Sequence, residues 1–317
     1  MQEQSEEMNP MNLGENEFTP DNRSWTERNG FAHWVMAFTW VIFAIIAFNV
    51  VGAVVGVIAA FFVVEDPTDI NALLSAITDN SNVFFLVNTS GQFLIFALGT
   101  LLILKLSAPK GFRMEFIRLK FRRDTLRYIL IAIVLTISIY PTVLFLGWLN
   151  SFLPVPQWMA ELQQTMDEMI KKLLKTENIL VLGLIHIGMV PAICEEIMFR
   201  GYVQRSLEKS WGIWASIFVS GFVFGAYHLQ ITNILPLAAL GILFAYITYI
   251  SDSIIPAMFA HFANNGGQVV LSSFYPEMLD ADVSPETQLP WLLIIFSIIV
   301  TAGLVYWLYQ FRPKEEL

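Results

Sequence analysis

The chain has 317 residues, of which 56% are hydrophobic and only 14% are charged. A composition this apolar is typical of a protein whose solvent is largely lipid, and a single membrane domain is the simplest organisation. The net charge of −9 offers no basic surface to a polyanion, which argues against a nucleic-acid partner. The single cysteine, Cys194, excludes an intrachain disulfide.

The two ends of the chain are polar, unlike the sequence between them. Residues 1–30 are acidic and lack the basic and apolar regions of a cleavable signal peptide, so we expect a solvated, poorly ordered cytosolic tail. Residues 31–312 are predicted to form the membrane domain, and residues 313–317 a second, short tail.

Eight apolar segments follow one another along the chain. A bilayer core about 30 Å thick needs roughly 20 apolar helical residues to cross it, and these segments meet or approach that length. The sequence therefore predicts an all-α, polytopic membrane protein with about eight transmembrane helices. The expected spans are 34–64, 83–104, 128–153, 179–199, 211–229, 234–250, 254–275 and 289–311.

Lysine and arginine are distributed unevenly between the loops. If the N-terminus is cytosolic, only Lys171, Lys172 and Lys175 lie on the outer side, and the other basic residues lie on the inner side. Basic residues accumulate in cytoplasmic loops, so both termini are expected in the cytosol. The expected location is the cell membrane, crossed several times, with a bacterial plasma membrane as the prior.

Residues 156–176 form an amphipathic pattern between the third and fourth spans. Apolar side chains recur at three- and four-residue spacing with charged residues between them, which indicates a helix lying on the membrane surface. Two interpretations stay open for this helix. It is a stiff connection between spans, or a lid that controls access of substrate.

Three charged residues fall inside the fourth apolar segment. Each charge in a membrane helix costs about 2.5 to 3.5 kcal/mol on insertion scales, so Glu195, Glu196 and Arg200 need partners. Glu196 and Arg200 are i, i+4 neighbours and are predicted to form an ion pair. Glu195 points about 100° away on the helix and is left for another purpose, unless both glutamates only anchor a helix end.

Further polar residues lie in the fifth and seventh spans. His228 follows Phe224 by four residues, and His261 and Asn265 share one helical face at i, i+4 spacing. A lone histidine in a span is more often a structural hydrogen-bonding residue, which is the interpretation for His186. Buried polar groups in lipid need one another, however, so the sequence predicts that this set meets the glutamates in one polar intramembrane cavity.

In order along the chain, these residues match the patterns EExxxR, FxxxH and HxxxN. They resemble the CPBP (Abi) family of intramembrane endopeptidases, which includes CAAX-prenyl proteases and bacteriocin-processing proteases. The resemblance covers about residues 179–270, the expected catalytic core. Some relatives carry an arginine near the end of the sixth span, where this chain has the sequence Tyr246 to Ile250, and this departure leaves the substrate class open.

The resemblance implies a role for each motif residue. Glu195 would be the general base that activates water, assisted by His228. His261 and Asn265 would donate hydrogen bonds to the oxyanion. A structural pair, Glu196 and Arg200, would hold the helix that carries the base. The implied substrate is a membrane-associated peptide, with a prenylated protein as one class, and membrane lipids are the surroundings.

Two alternatives remain beside a metal-independent glutamate peptidase. Glu195, His228 and His261 could form the His₂Glu set of a zinc peptidase, although the chain lacks the HExxH pattern in which such enzymes often carry both histidines. No metal cofactor is favoured. A protein of another class would bind without hydrolysis, either as an immunity protein that sequesters a peptide toxin or as a helper of a membrane partner protein.

One geometric condition must hold for the site to form. Counted along their helices, Glu195 and His228 lie roughly 21 and 24 Å deep, whereas His261 lies only roughly 12 Å deep. These depths agree only if the seventh helix begins below the membrane surface after a re-entrant turn near Ser253 and Pro256.

Overall fold

The fold was taken from a computed structural model that describes residues 23–174, 179–277 and 283–310. The predicted tails lie largely outside these ranges, so the boundaries at residues 30 and 312 stay predictions. The described part of the N-terminal tail contains a short helix, so ordered structure begins before residue 31.

Every regular element in the described ranges is a helix, which confirms the all-α class. The helices, in chain order, are α1 Trp25–Arg28, α2 His33–Phe61, α3 Ile70–Asp79, α4 Ser81–Ser107, α5 Arg113–Phe116, α6 Thr125–Ser138, α7 Tyr140–Asn150, α8 Gln157–Leu174, α9 Ile179–Trp211, α10 Ile213–Tyr227, α11 Ile234–Ser251, α12 Ile255–Phe274 and α13 Trp291–Gln310.

The number of spans differs from the predicted eight. Five helices of the described chain, α2, α4, α9, α11 with its short preceding turn, and α13, are long and apolar enough to cross a bilayer. Helices α6 and α7 meet at a bend of 44° and make a sixth span if they are counted as one. Pro141, in the first turn of α7, lacks an amide hydrogen and explains this break.

Helices α10 and α12 account for the difference. Helix α10 has 15 residues, a length of roughly 22 Å that falls short of the bilayer core. Helix α12 has 20 residues but carries His261 and Asn265 among other polar residues, which lowers its hydropathy. The polytopic class is therefore confirmed, whereas the count of eight is not. Both helices that miss the test carry motif residues.

Helix α9 lies at the centre of the main hydrophobic core. Its residues Met198, Phe199, Tyr202 and Val203 are fully buried and pack against side chains of α2, α4 and α10. Burial of large side chains on all sides fixes the rotation of α9, and so fixes where the neighbouring carboxylates point.

Helices α10 and α11 pack closely because glycines line their interface. A Cβ atom at Gly221 would come within 2.5 Å of the backbone nitrogen of Ile242, and one at Gly241 within 2.5 Å of the Gly221 carbonyl oxygen. Small residues allow this close approach of helix backbones in membranes. The contact holds Phe224 of α10 near Phe244 of α11, with ring centroids 6.5 Å apart.

The turn between α11 and α12 is buried rather than exposed. Ser253 and Ile254 have no exposed surface. The Ile254 amide donates to the Arg118 carbonyl at 3.1 Å, and the Ser253 hydroxyl donates to the Lys120 carbonyl at 2.7 Å. Helix α12 therefore begins against the loop that follows α5. The start of this helix below the membrane surface stays a prediction.

Candidate active site

Helix α9 presents the two adjacent carboxylates between two wide helical turns. The segments Leu184–Met189 and Ile197–Gln204 of α9 are π-helical, and a third π-helical segment, Gln92–Gly99, lies in the adjacent helix α4. Such turns widen a helix locally, shift the direction of its side chains and recur at functional sites. They flank Glu195 and Glu196 on both sides.

Glu196 forms the predicted ion pair with Arg200. Its Oε2 atom lies 3.1 Å from the Arg200 Nε atom, and both side chains are almost completely buried. The guanidinium also donates to the Gly241 carbonyl at 3.1 Å and lies 4.3 Å from the ring centre of Phe224. The i, i+4 expectation is confirmed, and the aromatic contacts add a cation–π interaction.

The second oxygen of Glu196 contacts α12. Oε1 lies 2.9 Å from the Nδ1 atom of His261, so Glu196 joins Arg200 of its own helix to a histidine from another. Sequence reasoning placed Glu196 only with Arg200, because helical spacing reveals contacts within one helix and not between helices. Glu196 therefore holds two of the site's side chains in place.

Glu195 has different partners from its neighbour, as expected from the rotation between them. Its Oε1 atom accepts a hydrogen bond from Gln92 Nε2 at 2.8 Å. Its Oε2 atom is buried, accepts no hydrogen bond from the described residues and lies 4.0 Å from His261 Nε2. One oxygen of the carboxylate is thus held, while the other faces a histidine at slightly more than contact distance.

Asn265 completes the cluster. Its amide nitrogen donates to the Ile187 carbonyl at 3.1 Å and lies 3.2 Å from His261 Nε2, while Asn264 donates to its oxygen at 2.9 Å. These contacts fix the orientation of the amide. They also imply that His261 carries its proton on Nδ1, towards Glu196, with the lone pair of Nε2 towards Asn265.

His228 lies beside this cluster rather than within its hydrogen-bond network. Its Nδ1 atom is 2.8 Å from the Phe224 carbonyl oxygen, so Nδ1 carries the proton and Nε2 is the acceptor. The Phe224 ring packs edge-on against both His228 and His261, with ring centroids 4.9 and 5.7 Å apart. No direct contact of His228 with Glu195 is found among the described residues.

Two residues of the site were missed by sequence reasoning. Gln92, the donor to Glu195, is a buried amide in the apolar helix α4, and its cost in lipid is a signal that could have identified it. Tyr227 packs between Phe96 and Phe199, and its buried hydroxyl has no hydrogen-bond partner among the described residues. In the sequence, only its position next to His228 could have identified Tyr227.

The histidine interpreted as structural behaves as expected. His186 of α9 contacts the Thr89 hydroxyl at 2.7 Å through Nδ1 and stacks on Phe85 at 4.8 Å between ring centroids. Its contacts are with α4 and not with the carboxylates. It therefore provides a control for substitution of the site histidines.

The zinc alternative requires Glu195, His228 and His261 to surround one metal ion. Within the described ranges, no three His, Cys, Asp or Glu side chains converge in a way that could hold a metal ion. The nearest pair, Glu195 Oε2 and His261 Nε2, is 4.0 Å apart, and the contacts of His228 lie with Phe224. Addition of a chelator tests directly whether these three residues hold zinc.

Residues 176–267 match a protein-family model described as "Type II CAAX prenyl endopeptidase Rce1-like". No curated protein and no solved structure matches the chain. The matched segment includes Glu195, His228, His261 and Asn265, and it agrees with the resemblance that the three motifs gave.

Proposed function

We propose that residues 176–267 are an Rce1-like domain of the CPBP family of CAAX-type intramembrane proteases. In this domain, Glu195 is the general base of peptide hydrolysis. The observation that carries this proposal is the asymmetric setting of its carboxylate. Gln92 holds one oxygen at 2.8 Å, whereas the other is buried without a described donor and faces His261.

In the proposed reaction, Glu195 Oε2 takes a proton from water as the water oxygen bonds to the substrate carbonyl carbon. The carbonyl electron pair moves onto oxygen and gives an oxyanion. When the C–N bond breaks, the proton passes from Glu195 to the departing amine. His228 supports the first step, because its Nε2 lone pair can accept a hydrogen bond from the same water.

His261 and Asn265 are the proposed oxyanion donors. The Asn265 amide donates one hydrogen to the Ile187 carbonyl and directs the other towards His261 Nε2, and Asn264 holds its oxygen. His261 can donate from Nε2 once a second proton is bound there, and the Glu196 carboxylate at Nδ1 stabilises that doubly protonated ring. Donors aimed at developing charge are a major source of rate enhancement.

Glu196 and Arg200 have a structural role in this proposal. Their ion pair is buried, and it connects α9 to α11 through Gly241 and to α12 through His261. A fixed Glu196 keeps the His261 ring oriented, in the way that a buried carboxylate orients a catalytic imidazole elsewhere. Neither residue needs to contact the substrate.

The substrate and the placement in the membrane are part of the proposal. A site among helices that cross or enter the bilayer suits a membrane-associated peptide, and the family description makes prenylated peptides the first class to test. We propose a metal-independent reaction, a catalytic core of residues 179–270 and termini on the cytosolic side. The distribution of basic residues supports that orientation.

The experiment uses the full chain, purified in detergent, with a prenylated peptide and the same peptide without the prenyl group. Cleavage of the prenylated peptide, unchanged by a chelator and lost in the His228→Ala variant, is the expected result. His186→Ala is the matched control, since it also removes a part-buried histidine from a membrane helix. Loss of cleavage on chelation would instead support the zinc set, and no cleavage of either peptide would support a binding protein.

A further inference from the structure

A basic cavity lies where α1 meets the end of α4 and the loop that contains α5. Its volume is about 380 Å³, which falls within the range of small-ligand sites. It is separate from the carboxylate site, since none of the site residues lines it. The lining residues are Arg23, Ser24, Trp25, Arg28, Lys105, Ala108, Pro109, Lys110, Gly111, Phe112 and Arg113.

The charge of this cavity is opposite to that of the protein. Five of its lining residues are lysine or arginine, and no acidic residue lines it among the described residues, although the whole chain has a net charge of −9. Like charges held around one space repel one another unless an anion lies among them. Such a cluster therefore favours an anionic ligand.

The nearest acid of α1 does not neutralise the cavity. Glu27 accepts from the Ser24 amide at 2.7 Å, lies 3.1 Å from His33 and pairs with Lys209 at 3.2 Å. Its carboxylate therefore contacts one lining residue, Ser24, but its cationic partners His33 and Lys209 do not line the cavity. Arg113, which does line the cavity, has a buried Nε atom with no hydrogen-bond partner among the described residues.

The cavity is placed at the level where lipid headgroups would lie. Helix α4 is one of the candidate spans and ends at Ser107, and the Thr26 hydroxyl fixes α1 to that end by donating to the Leu106 carbonyl at 3.0 Å. Trp25 and Phe112, which line the cavity, are 39% and 50% exposed. Exposed aromatic residues at helix ends are typical of the interface between membrane and water.

We propose that this cavity binds the phosphate group of an anionic phospholipid. Lysine and arginine from α1, α4 and the following loop would surround the phosphate, while Trp25 and Phe112 face the glycerol and upper acyl region. Basic pockets beside membrane helices on the cytosolic side bind anionic headgroups in this way. The cavity lies on the side that the basic residues predict to be cytosolic.

Equilibrium binding to the detergent-purified full chain tests this site. The probes are short-chain phosphatidylglycerol, short-chain phosphatidylcholine and inorganic phosphate, each measured at low and high salt. The variants are Lys110→Gln and Arg113→Gln in the cavity. The matched control is Arg123→Gln, which removes one exposed charge from the same loop region without lining the cavity.

The expected result is saturable binding of phosphatidylglycerol that weakens with salt and exceeds binding of phosphatidylcholine at least tenfold. Each cavity variant should weaken that binding about fivefold, while the control changes it less than twofold. Equal binding of the two lipids, or an equal loss in the control, would overturn the site. Inorganic phosphate binding as tightly as phosphatidylglycerol would overturn the lipid assignment and identify a site for soluble phosphate compounds.

Discussion

Two polar clusters of this protein are built from similar residues and satisfied to different degrees. The carboxylate cluster consists of Glu195, Glu196, Arg200, His261 and Asn265 and lies between α9 and α12. The loop cluster surrounds Asp252, whose carboxylate is paired with Arg118 at 2.9 Å, Lys120 at 2.6 Å and Arg122 at 2.8 Å.

The difference between these clusters distinguishes a structural carboxylate, Asp252, from a functional one, Glu195. Every oxygen of Asp252 is paired with a cation, so this carboxylate fastens the turn before α12 to the loop after α5. Glu195 keeps one buried oxygen without a described donor, although burial makes an unmet acceptor costly. A free-energy cost of burial that no contact offsets indicates that the group is kept for function.

Arg200→Gln should have the largest effect on stability and separates the two clusters most clearly. It leaves Glu196 buried without its cation, and loss of one partner of a buried pair costs about 3–5 kcal/mol. Arg122→Gln is the matched change in the loop cluster, where the side chain is 47% exposed, and should cost less than about 1 kcal/mol. Urea unfolding of both variants in detergent measures the two values, and equal losses would contradict the distinction.

Asn265→Ala comes next and acts on catalysis. Removal of one oxyanion donor lowers kcat by about 10²–10³-fold in hydrolases, and we expect a loss in that range with the substrate KM little changed. Asn264→Ala should lower kcat less than tenfold, because the Asn264 amide donates to the oxygen of Asn265 and not to the proposed oxyanion. A similar kcat for the two variants would remove Asn265 from the oxyanion site.

Gln92→Leu should have a smaller effect on the same reaction. It removes the donor that fixes Glu195 Oε1, so the base loses its orientation while the substrate site is kept. A hydrogen bond to a charged group contributes about 1.5–3 kcal/mol, which corresponds to roughly a 10- to 150-fold fall in kcat. A change confined to KM would assign Gln92 to substrate binding instead of positioning.

The smallest predicted effect is a pH dependence of stability from Asp252. Burial raises the pKa of this carboxyl, but the hydrogen bond from Lys120 and the charge of Arg118 outweigh burial and hold the pKa below its ordinary value. Its stabilising contribution is therefore present above the unfolded pKa, near 3.9, and is lost as the pH falls through the folded pKa. Asp252→Asn should flatten the decline of the thermal midpoint below pH 5, whereas an unchanged decline would assign it to other acids.

Sequence reasoning identified the membrane class and the Glu196 to Arg200 pair, since hydropathy and helical spacing act within a single segment. It also predicted that α12 begins below the membrane surface. Ser253 at this turn is buried by the protein, and its depth in a bilayer stays a prediction. Contacts between helices were out of its reach. The bond from Glu196 to His261 and the bond from Gln92 to Glu195 depend on how α4, α9 and α12 rotate against one another.

The count of spans shows the same limit. Helix α10 is too short and α12 too polar to qualify alone, and both are stabilised by packing against neighbours, α10 through Gly221 and Gly241 of the interface with α11. Mean hydropathy is an average over one segment and contains no information on its packing partners. Of the four proposed catalytic residues, His261 and Asn265 lie in α12, and His228 directly follows α10.

The kcat of Glu195→Gln on the prenylated peptide decides whether Glu195 is the base and Glu196 its support. This substitution keeps the shape and the hydrogen bond from Gln92 but removes the basic oxygen. We expect kcat to fall by about 10²–10⁴-fold while the thermal midpoint is preserved. Cleavage at the rate of the unaltered protein, with the variant fully folded, would contradict it.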